Sequence, residues 1–204
     1  MPEATGLPGI ARGAVVTVGT FDGVHLGHRD ILDRAIARAK ERQLPSVAVT
    51  FRPHPLAVVN PPAAPLLLTP GDEQLEAIAE SGIDYVIALP FTRVLASYSA
   101  TQFVRAVLRD RYCTQELVVG YDHGLGRGRQ ADAAALAEMG RAMGFPVHVV
   151  PPTQDQNGAP VSSSTIRSLI AHGDLLHASR LLGRRYTIRG IVVRGAGRGR
   201  GAGH

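Results

Sequence analysis

Two histidines three residues apart stand in Gly19-Thr20-Phe21-Asp22-Gly23-Val24-His25-Leu26-Gly27-His28, the stretch of this chain best suited to chemistry. It follows Ala14-Val15-Val16-Thr17-Val18 and precedes Ile31, Leu32, Ala35, Ile36 and Ala39 at helical spacing, so the pattern predicts strand, glycine-rich turn, helix. Backbone N–H groups at a helix N-terminus favour anions, and imidazoles there add donors. Gly19, Gly23 and Gly27 remove side chains where backbone would approach a ligand. The chemistry indicated is phosphate binding, with donors aimed at charge that grows during nucleotidyl transfer. A zinc pair and an ordinary helix start are the competing readings. Zinc requires a third and fourth ligand, and no cysteine pair exists.

Three other stretches carry similar potential. Ser162-Ser163-Ser164-Thr165-Ile166-Arg167 opens a second helix. Ser163 and Ser164 lie four and three residues before Arg167, so all share a face. Hydroxyls, unpaired N–H groups and a guanidinium at one helix start would form a polyphosphate clamp; by itself the pattern also fits a plain N-cap beside a surface arginine. Gly120 through Arg129 holds four glycines and two arginines after an apolar run, with Asp122 its best polar candidate. Such a loop is either a ligand wall or a solvated turn. Phe51-Arg52-Pro53-His54-Pro55 offers an aromatic face on a rigid backbone, suited to a flat ring ligand or to packing alone.

The elements that must position these residues alternate. Strands are expected at Ala14–Val18, Ser46–Phe51, Asp84–Leu89, Glu116–Val119 and Pro146–Val150. Helices are expected at Gly27–Gln43, Pro70–Ser81, Ser99–Tyr112, Ala131–Gly144, Ser162–Ala171 and Leu175–Leu182. Leu66–Thr69 reads as a short extended piece, and the proline-rich segment up to Pro65 as a loop. Alternation implies a parallel, doubly wound α/β sheet with helices on both faces. Right-handed crossovers then place the turn after each strand along one edge, where ligands bind in such folds. That edge gathers Gly19–His28, Arg52–Pro55 and Gly120–Arg129.

The 204 residues, 45% of them apolar, suffice for a real core. No run approaches the ~18 apolar residues of a membrane span, and no secretory signal opens the chain. Cys113 is the one cysteine, expected as a small buried hydrophobe at a helix end; its solitude excludes an intrachain disulfide framework and suits a cytoplasmic setting. The net charge of +5 is concentrated: seven of the 22 basic residues, and none of the 17 acidic ones, lie between Arg180 and His204. The preceding body is slightly acidic, which argues against a nucleic-acid-binding face there. Three parts are expected: a loose lead-in over 1–12, a nucleotide-binding domain over 13–184, and an Arg/Gly-rich tail over 185–204. In that tail Arg185–Arg194 has strand composition, and a lone strand is not a domain.

Taken in order, the four motifs resemble the bacterial bifunctional riboflavin kinase/FAD synthetase family, at its N-terminal FMN adenylyltransferase module. Gly-Thr-Phe-Asp-Gly-Val-His-Leu-Gly-His is similar to its first ATP motif, with Thr20 where Asn is frequent. Phe51-x-Pro53-His54-Pro55 is similar to its Phe-x-Pro-His-Pro loop, with Arg52 where Asp is common. Val119-Gly120-Tyr121-Asp122-His123 resembles its Val-Gly-Tyr-Asp loop, with Leu125 where Phe is usual. Val161 through Arg167 resembles its Ser-Ser-x-x-Ile-Arg motif, and Leu182-Gly183-Arg184-x-Tyr186 its junction to the kinase module. The resemblance implies a Rossmann-like nucleotidylyltransferase fold and the reaction FMN + ATP → FAD + pyrophosphate with Mg²⁺. FMN and ATP are the expected partners; no membrane or nucleic acid is expected, and no protein-held metal. On this reading His25 and His28 hold the ATP phosphates, and Ser163, Ser164 and Arg167 hold the leaving pyrophosphate. Gly19, Thr20, Phe21, Asp22, Gly23, Gly27 and Gly120 complete the ATP site. Phe51, Pro53, His54, Pro55, Asp122, Gly124 and Leu125 face the flavin. The chain ends near the first strand of the kinase barrel, so no riboflavin kinase activity is expected of it.

Two rival readings remain at this stage. The histidine motif is also similar to cytidylyltransferases of small phospho-alcohols, which pair it with an Arg-Thr-x-Gly-Ile-Ser-Thr-Thr clamp. A non-catalytic flavin- or nucleotide-binding remnant is the other.

Overall fold

The computed structural model describes residues 10–193. Strands β1 (Ala14–Val18), β2 (Ser46–Arg52), β3 (Tyr85–Pro90), β4 (Thr114–Gly120) and β5 (Val147–Val150) form one sheet in the order β3-β2-β1-β4-β5. Every neighbouring pair is parallel; Val16 of β1 sits opposite Val47 and Leu117. The doubly wound sheet expected from alternation is therefore present, with β1 at its centre.

The connections carry helices α1 (Leu26–Arg42), α2 (Pro55–Val59), α3 (Asp72–Ala79) and α4 (Arg93–Ala96), then α5 (Ala100–Phe103). The last continues through a π-helical run, Val104–Arg109, into α6 (Asp110–Tyr112). After β4 come α7 (Ala133–Met143), α8 (Ser163–Ala171) and α9 (Leu175–Leu182). Four of these helices begin on the side chain their sequence offers: Ser99, Asp132, Ser162 and Asp174 all accept from a backbone N–H of the first turn.

Side chains alternate across the sheet and both faces are buried, which is why the strands read as nearly continuous apolar runs. On one face Val16, Val18, Val47, Val49, Leu117 and Val119 pack with Phe103, Val107, Leu108, Tyr112 and Leu136. On the other, Val15 and Val118 meet Ala35 and Ala39 of α1, and Ala48 meets Leu32 of α1 and Ile78 of α3. A smaller cluster joins Leu68 to Val161, Ile166, Ala178, Leu181 and Leu182, seating α8 and α9 beside the turn after β1.

Several expectations are corrected. The segment after Pro55 is not a plain loop: Pro55 occupies the first turn of α2, where its missing N–H is harmless. Leu66–Thr69, expected as a short extended piece, joins no strand of the sheet, and Leu68 and Thr69 are held by contacts to the turn after β1, described below. Ile10–Arg12 form a 3-10 turn, and Ile10 is buried in the main core. Residues 1–9 of the expected lead-in, and the Arg/Gly run over 194–204, lie outside the described residues. Cys113 is half-buried, not buried; it ends α6 in the left-handed region at φ 47°. The strand expected over 185–194 does not form among the described residues. Residues 185–193 have no regular structure, and Ile188, Ile191, Val192 and Val193 are exposed. The edge strands β3 and β5 do not take it up, and an unpaired strand has nothing to satisfy its backbone groups.

Candidate active site

The strand order reverses direction between β1 and β4, so the crevice at the carboxyl ends of these strands is where this architecture receives ligands. The turn after β1 occupies it. Gly19 still donates to the Val49 carbonyl at 3.0 Å, and then the chain leaves the sheet. Phe21, Gly23 and Val24 take positive φ values of 47°, 85° and 40°. A valine in that region is strained by about 1–3 kcal/mol. Burial offsets it: Phe21 and Val24 are almost wholly enclosed with Leu32, Ala48, Ile78 and Ile83, and burying such side chains is worth about 1.5–3 kcal/mol each. Gly23 is required twice over, by its φ and because a Cβ there would lie 2.7 Å from Leu68 Cδ1.

His25 is the N-cap of α1, and its Nδ1 accepts the His28 N–H at 3.4 Å. A neutral imidazole accepting at Nδ1 carries its proton on Nε2, which leaves that N–H to donate outward. The two rings stack, with centroids 3.7 Å apart and an 18° interplanar angle, and His28 meets the Phe21 ring edge-on at 5.4 Å. Burial, with the nearby Arg184 charge, lowers His25 to about 4. Burial, with His25 beside it, holds His28 well below the ordinary value. Both rings are thus neutral at pH 7 and act as dipolar donors rather than cations. His28 Nδ1 is buried and makes no hydrogen bond within the described residues.

Asp22 joins this turn to the serine–arginine segment. It is 2% exposed. Its Oδ1 accepts from the Leu68 and Thr69 backbone N–H groups at 2.8 and 3.2 Å. Its Oδ2 lies 3.3 Å from an Arg167 Nη atom, and its carbonyl accepts the Ser163 hydroxyl at 2.8 Å. Arg167 also donates to Ser164 Oγ at 3.3 Å. Thr69 Oγ1 accepts the Gly23 N–H at 3.0 Å. The clamp and the histidine turn, some 140 residues apart in sequence, are hydrogen-bonded to each other.

His54 enters the same neighbourhood. It is half-buried, caps α2 by accepting the Leu56 N–H at 3.2 Å, and is lowered by burial. The charges of Asp22 and Arg167 act on it in opposite senses. Pro53 and Pro55 flank it. Arg52 pairs with Asp72 at 2.8 Å and donates to the Gly71 carbonyl, tying this loop to the start of α3. The Phe51 ring packs edge-on to Phe91 at 5.3 Å, beside Phe103, against the main core. The carbonyl of Thr20 accepts from Thr50 Oγ1 at 3.2 Å and from Gln74.

On the opposite flank, Gly120 ends β4 against α1; a Cβ there would sit 2.9 Å from Ile31 Cδ1 and 3.4 Å from Asp122 Oδ1. Leu125 is 5% exposed and packed in the main core, its backbone paired with Ala131 at 2.9 and 3.2 Å. It pins the loop that carries Asp122 and Gly124. Strands β2 and β4 flank β1, so the two loops leave the sheet from strands about 10 Å apart, two strand spacings, on either side of the histidine turn.

Leu68, Thr69, Gln74 and Arg184 are the residues sequence reasoning did not find. Arg184, after α9, donates to the Val24 carbonyl at 3.4 Å and bears on His25. Each makes its contribution through a backbone group or a long-range contact, and neither leaves a spacing pattern. No group of three or more His, Cys, Asp or Glu that could hold a metal ion occurs among the described residues, nor is any helix there long and apolar enough to cross a membrane.

Comparison with known proteins places this fold in a family. Residues 8–165 match the family model described as FAD synthetase. The bifunctional riboflavin kinase/FMN adenylyltransferase of Escherichia coli (strain K12) is 36% identical over 189 residues, 93% of this chain and 60% of that protein. The corresponding Pseudomonas fluorescens protein is 40% identical over 90% of this chain and 58% of its own length. The chain thus spans about 60% of the length of these bifunctional relatives. The FAD synthetase of Listeria monocytogenes is 34% identical over 91% of this chain and 74% of that protein. Among solved structures, a Streptococcus pneumoniae protein described as a macrolide-efflux protein superposes with a TM-score of 0.80 at 29% identity, over 96% of this chain and 62% of that one. A Francisella tularensis pantoate-beta-alanine ligase, at TM-score 0.52 and 12% identity over 93% of this chain and 85% of its own, shares the fold. With the histidine turn, the whole sheet and the serines that open α8 inside the matched region, the chain belongs to the FAD synthetase family.

Proposed function

We propose that this chain transfers the adenylyl group of ATP to FMN, releasing pyrophosphate and forming FAD. The observation that carries the reading is the junction of the neutral histidine pair with the Ser163–Ser164–Arg167 segment through Asp22 at the sheet's switch point. A phosphate oxygen of FMN attacks the α-phosphorus of ATP in line. The bond from that phosphorus to the α–β bridging oxygen breaks, and its electrons leave with pyrophosphate. No covalent enzyme intermediate is required, so positioning and charge stabilisation do the catalysis.

His25 and His28 donate N–H bonds to the α- and β-phosphate oxygens. Being neutral, they do so without the desolvation penalty of a buried cation. Arg167, with Ser163 and Ser164 at the start of α8, receives the β- and γ-phosphates. Gly19, Thr20, Phe21, Asp22, Gly23, Gly27 and Gly120 shape the ATP site; the share of Phe21 and Asp22 is to hold His28 and Arg167 in place. Pro53, His54 and Pro55 on one side, and Asp122, Gly124 and the Leu125 backbone on the other, face the flavin. Phe51 supports the first of these loops from below. Mg²⁺ would arrive chelated by the triphosphate, offsetting its charge, which suits a site where no metal cage forms among the described residues. A cytoplasmic setting suits these substrates and the single cysteine.

The test is direct. The purified chain is incubated with FMN, ATP and Mg²⁺, and FAD and pyrophosphate are measured by chromatography and a coupled assay. Stoichiometric FAD and pyrophosphate are expected. Absence of FAD, or turnover with CTP in place of ATP, sinks the reading.

A further inference from the structure

Asp22 stands in an unusual position for a residue of a phosphate-binding turn: it is an anion, buried, beside the place where a polyanion is to bind. Two backbone N–H groups, from Leu68 and Thr69, converge on Oδ1, while Oδ2 is left for Arg167 at 3.3 Å. The first two bonds fix the carboxylate, because their donors belong to a segment anchored by Leu68 in the cluster with Val161, Ile166 and Leu182. A fixed carboxylate then fixes the guanidinium. Arg167 meets Oδ2 and makes its second bond to Ser164 Oγ at 3.3 Å. The Asp22 carbonyl meanwhile holds the Ser163 hydroxyl at 2.8 Å. One residue therefore ties side chain and backbone of the turn to two positions of the clamp, Arg167 and Ser163, and through Arg167 to Ser164.

We propose that Asp22 is a positioning residue for the triphosphate, which fixes Arg167 and the start of α8 against the histidine turn before ATP arrives. The assignment rests on the adenylyl-transfer reading of the site. An unrestrained arginine samples many rotamers and loses them on binding phosphate. Held by Asp22 and Ser164, it has lost them beforehand, so the ordering is not charged against ATP affinity. The opposing effect is repulsion between the carboxylate and the β/γ-phosphates. It is weakened because two amide dipoles and the guanidinium already face the carboxylate. Pre-ordering is the larger effect, and removing the carboxylate weakens ATP binding rather than strengthening it.

The substitution to use is Asp22→Asn. Its amide oxygen keeps the bonds from Leu68 and Thr69, while its NH₂ cannot accept from Arg167. ATP affinity is measured by calorimetry without FMN, on the full chain, for wild type, Asp22→Asn, Arg167→Gln and the double variant. Melting temperature reports on folding. The expected result is an ATP dissociation constant raised about tenfold by Asp22→Asn in the wild-type background, the scale of ordering one rotamer-rich side chain. The effect falls to less than about twofold in the Arg167→Gln background, because the partner is gone. The KM for ATP rises in parallel, and the KM for FMN is unchanged. Equal weakening in both backgrounds overturns the proposal, as does wild-type ATP affinity in Asp22→Asn. If Asp22→Asn does not fold, Ser163→Ala and Ser164→Ala are compared in the same two backgrounds; unchanged ATP affinity in both overturns it. A cycle that behaves as expected in a chain that makes no FAD upholds the positioning role and sinks the adenylyl-transfer reading, so the two failures are distinguishable.

Discussion

Acidification should weaken this fold in part through His25. The ring is buried at the head of α1, stacked on His28 and beside Arg184, and its pKa falls from 6.5 to about 4. In the unfolded chain it titrates near 6.5. Because the folded value is the lower one, the folded chain binds fewer protons between the two. The stability is fully present above pH 6.5 and is withdrawn as pH falls toward 4. At about 1.4 kcal/mol per pH unit the whole interval is worth roughly 3 kcal/mol, of which roughly 2.5 kcal/mol is gone by pH 4.5. His25→Asn removes the titration and keeps a side-chain oxygen that caps α1. Urea unfolding at pH 7.5 and pH 4.5 is compared for both proteins. Glu116 and His54 lie outside the stacked pair and their contributions cancel, while His28, lowered mainly by its own burial, keeps that burial in both proteins. Wild type should lose roughly 2.5 kcal/mol more than His25→Asn over that interval. Equal losses would falsify the assignment of His25 as a buried neutral donor, and with it the picture of the pair as dipoles.

Other perturbations separate chemistry from support. His28→Ala should lower kcat/KM for FAD formation on the order of 10²-fold or more, as for loss of one preorganised donor, with a melting temperature near wild type; near-unchanged turnover removes His28 from the mechanism. Gly23→Ala, with φ at 85° and Leu68 Cδ1 2.7 Å from the new carbon, should destabilise by about 2 kcal/mol in chemical denaturation. Glu116 is buried near the start of β4, at the far end of that strand from Gly120. Burial pushes its carboxyl up, but the Arg38 hydrogen bond and the charges of His148, Arg42 and Arg38 outweigh that and hold it below the usual range. His148 Nε2 lies 2.9 Å from it. Glu116→Ala should cost about 2 kcal/mol of stability by removing the buried carboxylate that Arg38, Arg42 and His148 share, yet leave the rate of FAD formation at 25 °C unchanged. A fall in that rate without loss of folded protein would show that the far end of the sheet is coupled to the crevice.

Much of the architecture was legible because local rules suffice for it. β-branched runs such as Ala14–Val18 are apolar on both faces only in a sheet covered on both sides, and Ser99, Asp132 and Ser162 mark helix starts by their own side chains. Alternation then forces parallel pairing and puts the post-strand turns on one edge. Strand composition after Arg184 misled because composition records what a segment would do if paired, and pairing needs a neighbour. Cys113 misled because a helix stop selects backbone conformation as well as hydrophobicity.

At the site the division is sharper. The histidine pair, the Ser163–Arg167 helix start and the Gly120 loop were identifiable from residue type and spacing, since donors at helix N-termini are a local matter. Their protonation state, the burial that makes both imidazoles neutral, and the use of Phe51 and Leu125 for packing were decided by tertiary structure. So was the role of Asp22, whose partners are Leu68, Thr69, Ser163 and Arg167. Sequence sets which groups are available and how they repeat along the chain. Which of them face water, which face each other across 140 residues, and which charges survive burial depend on distances that only the packed chain defines.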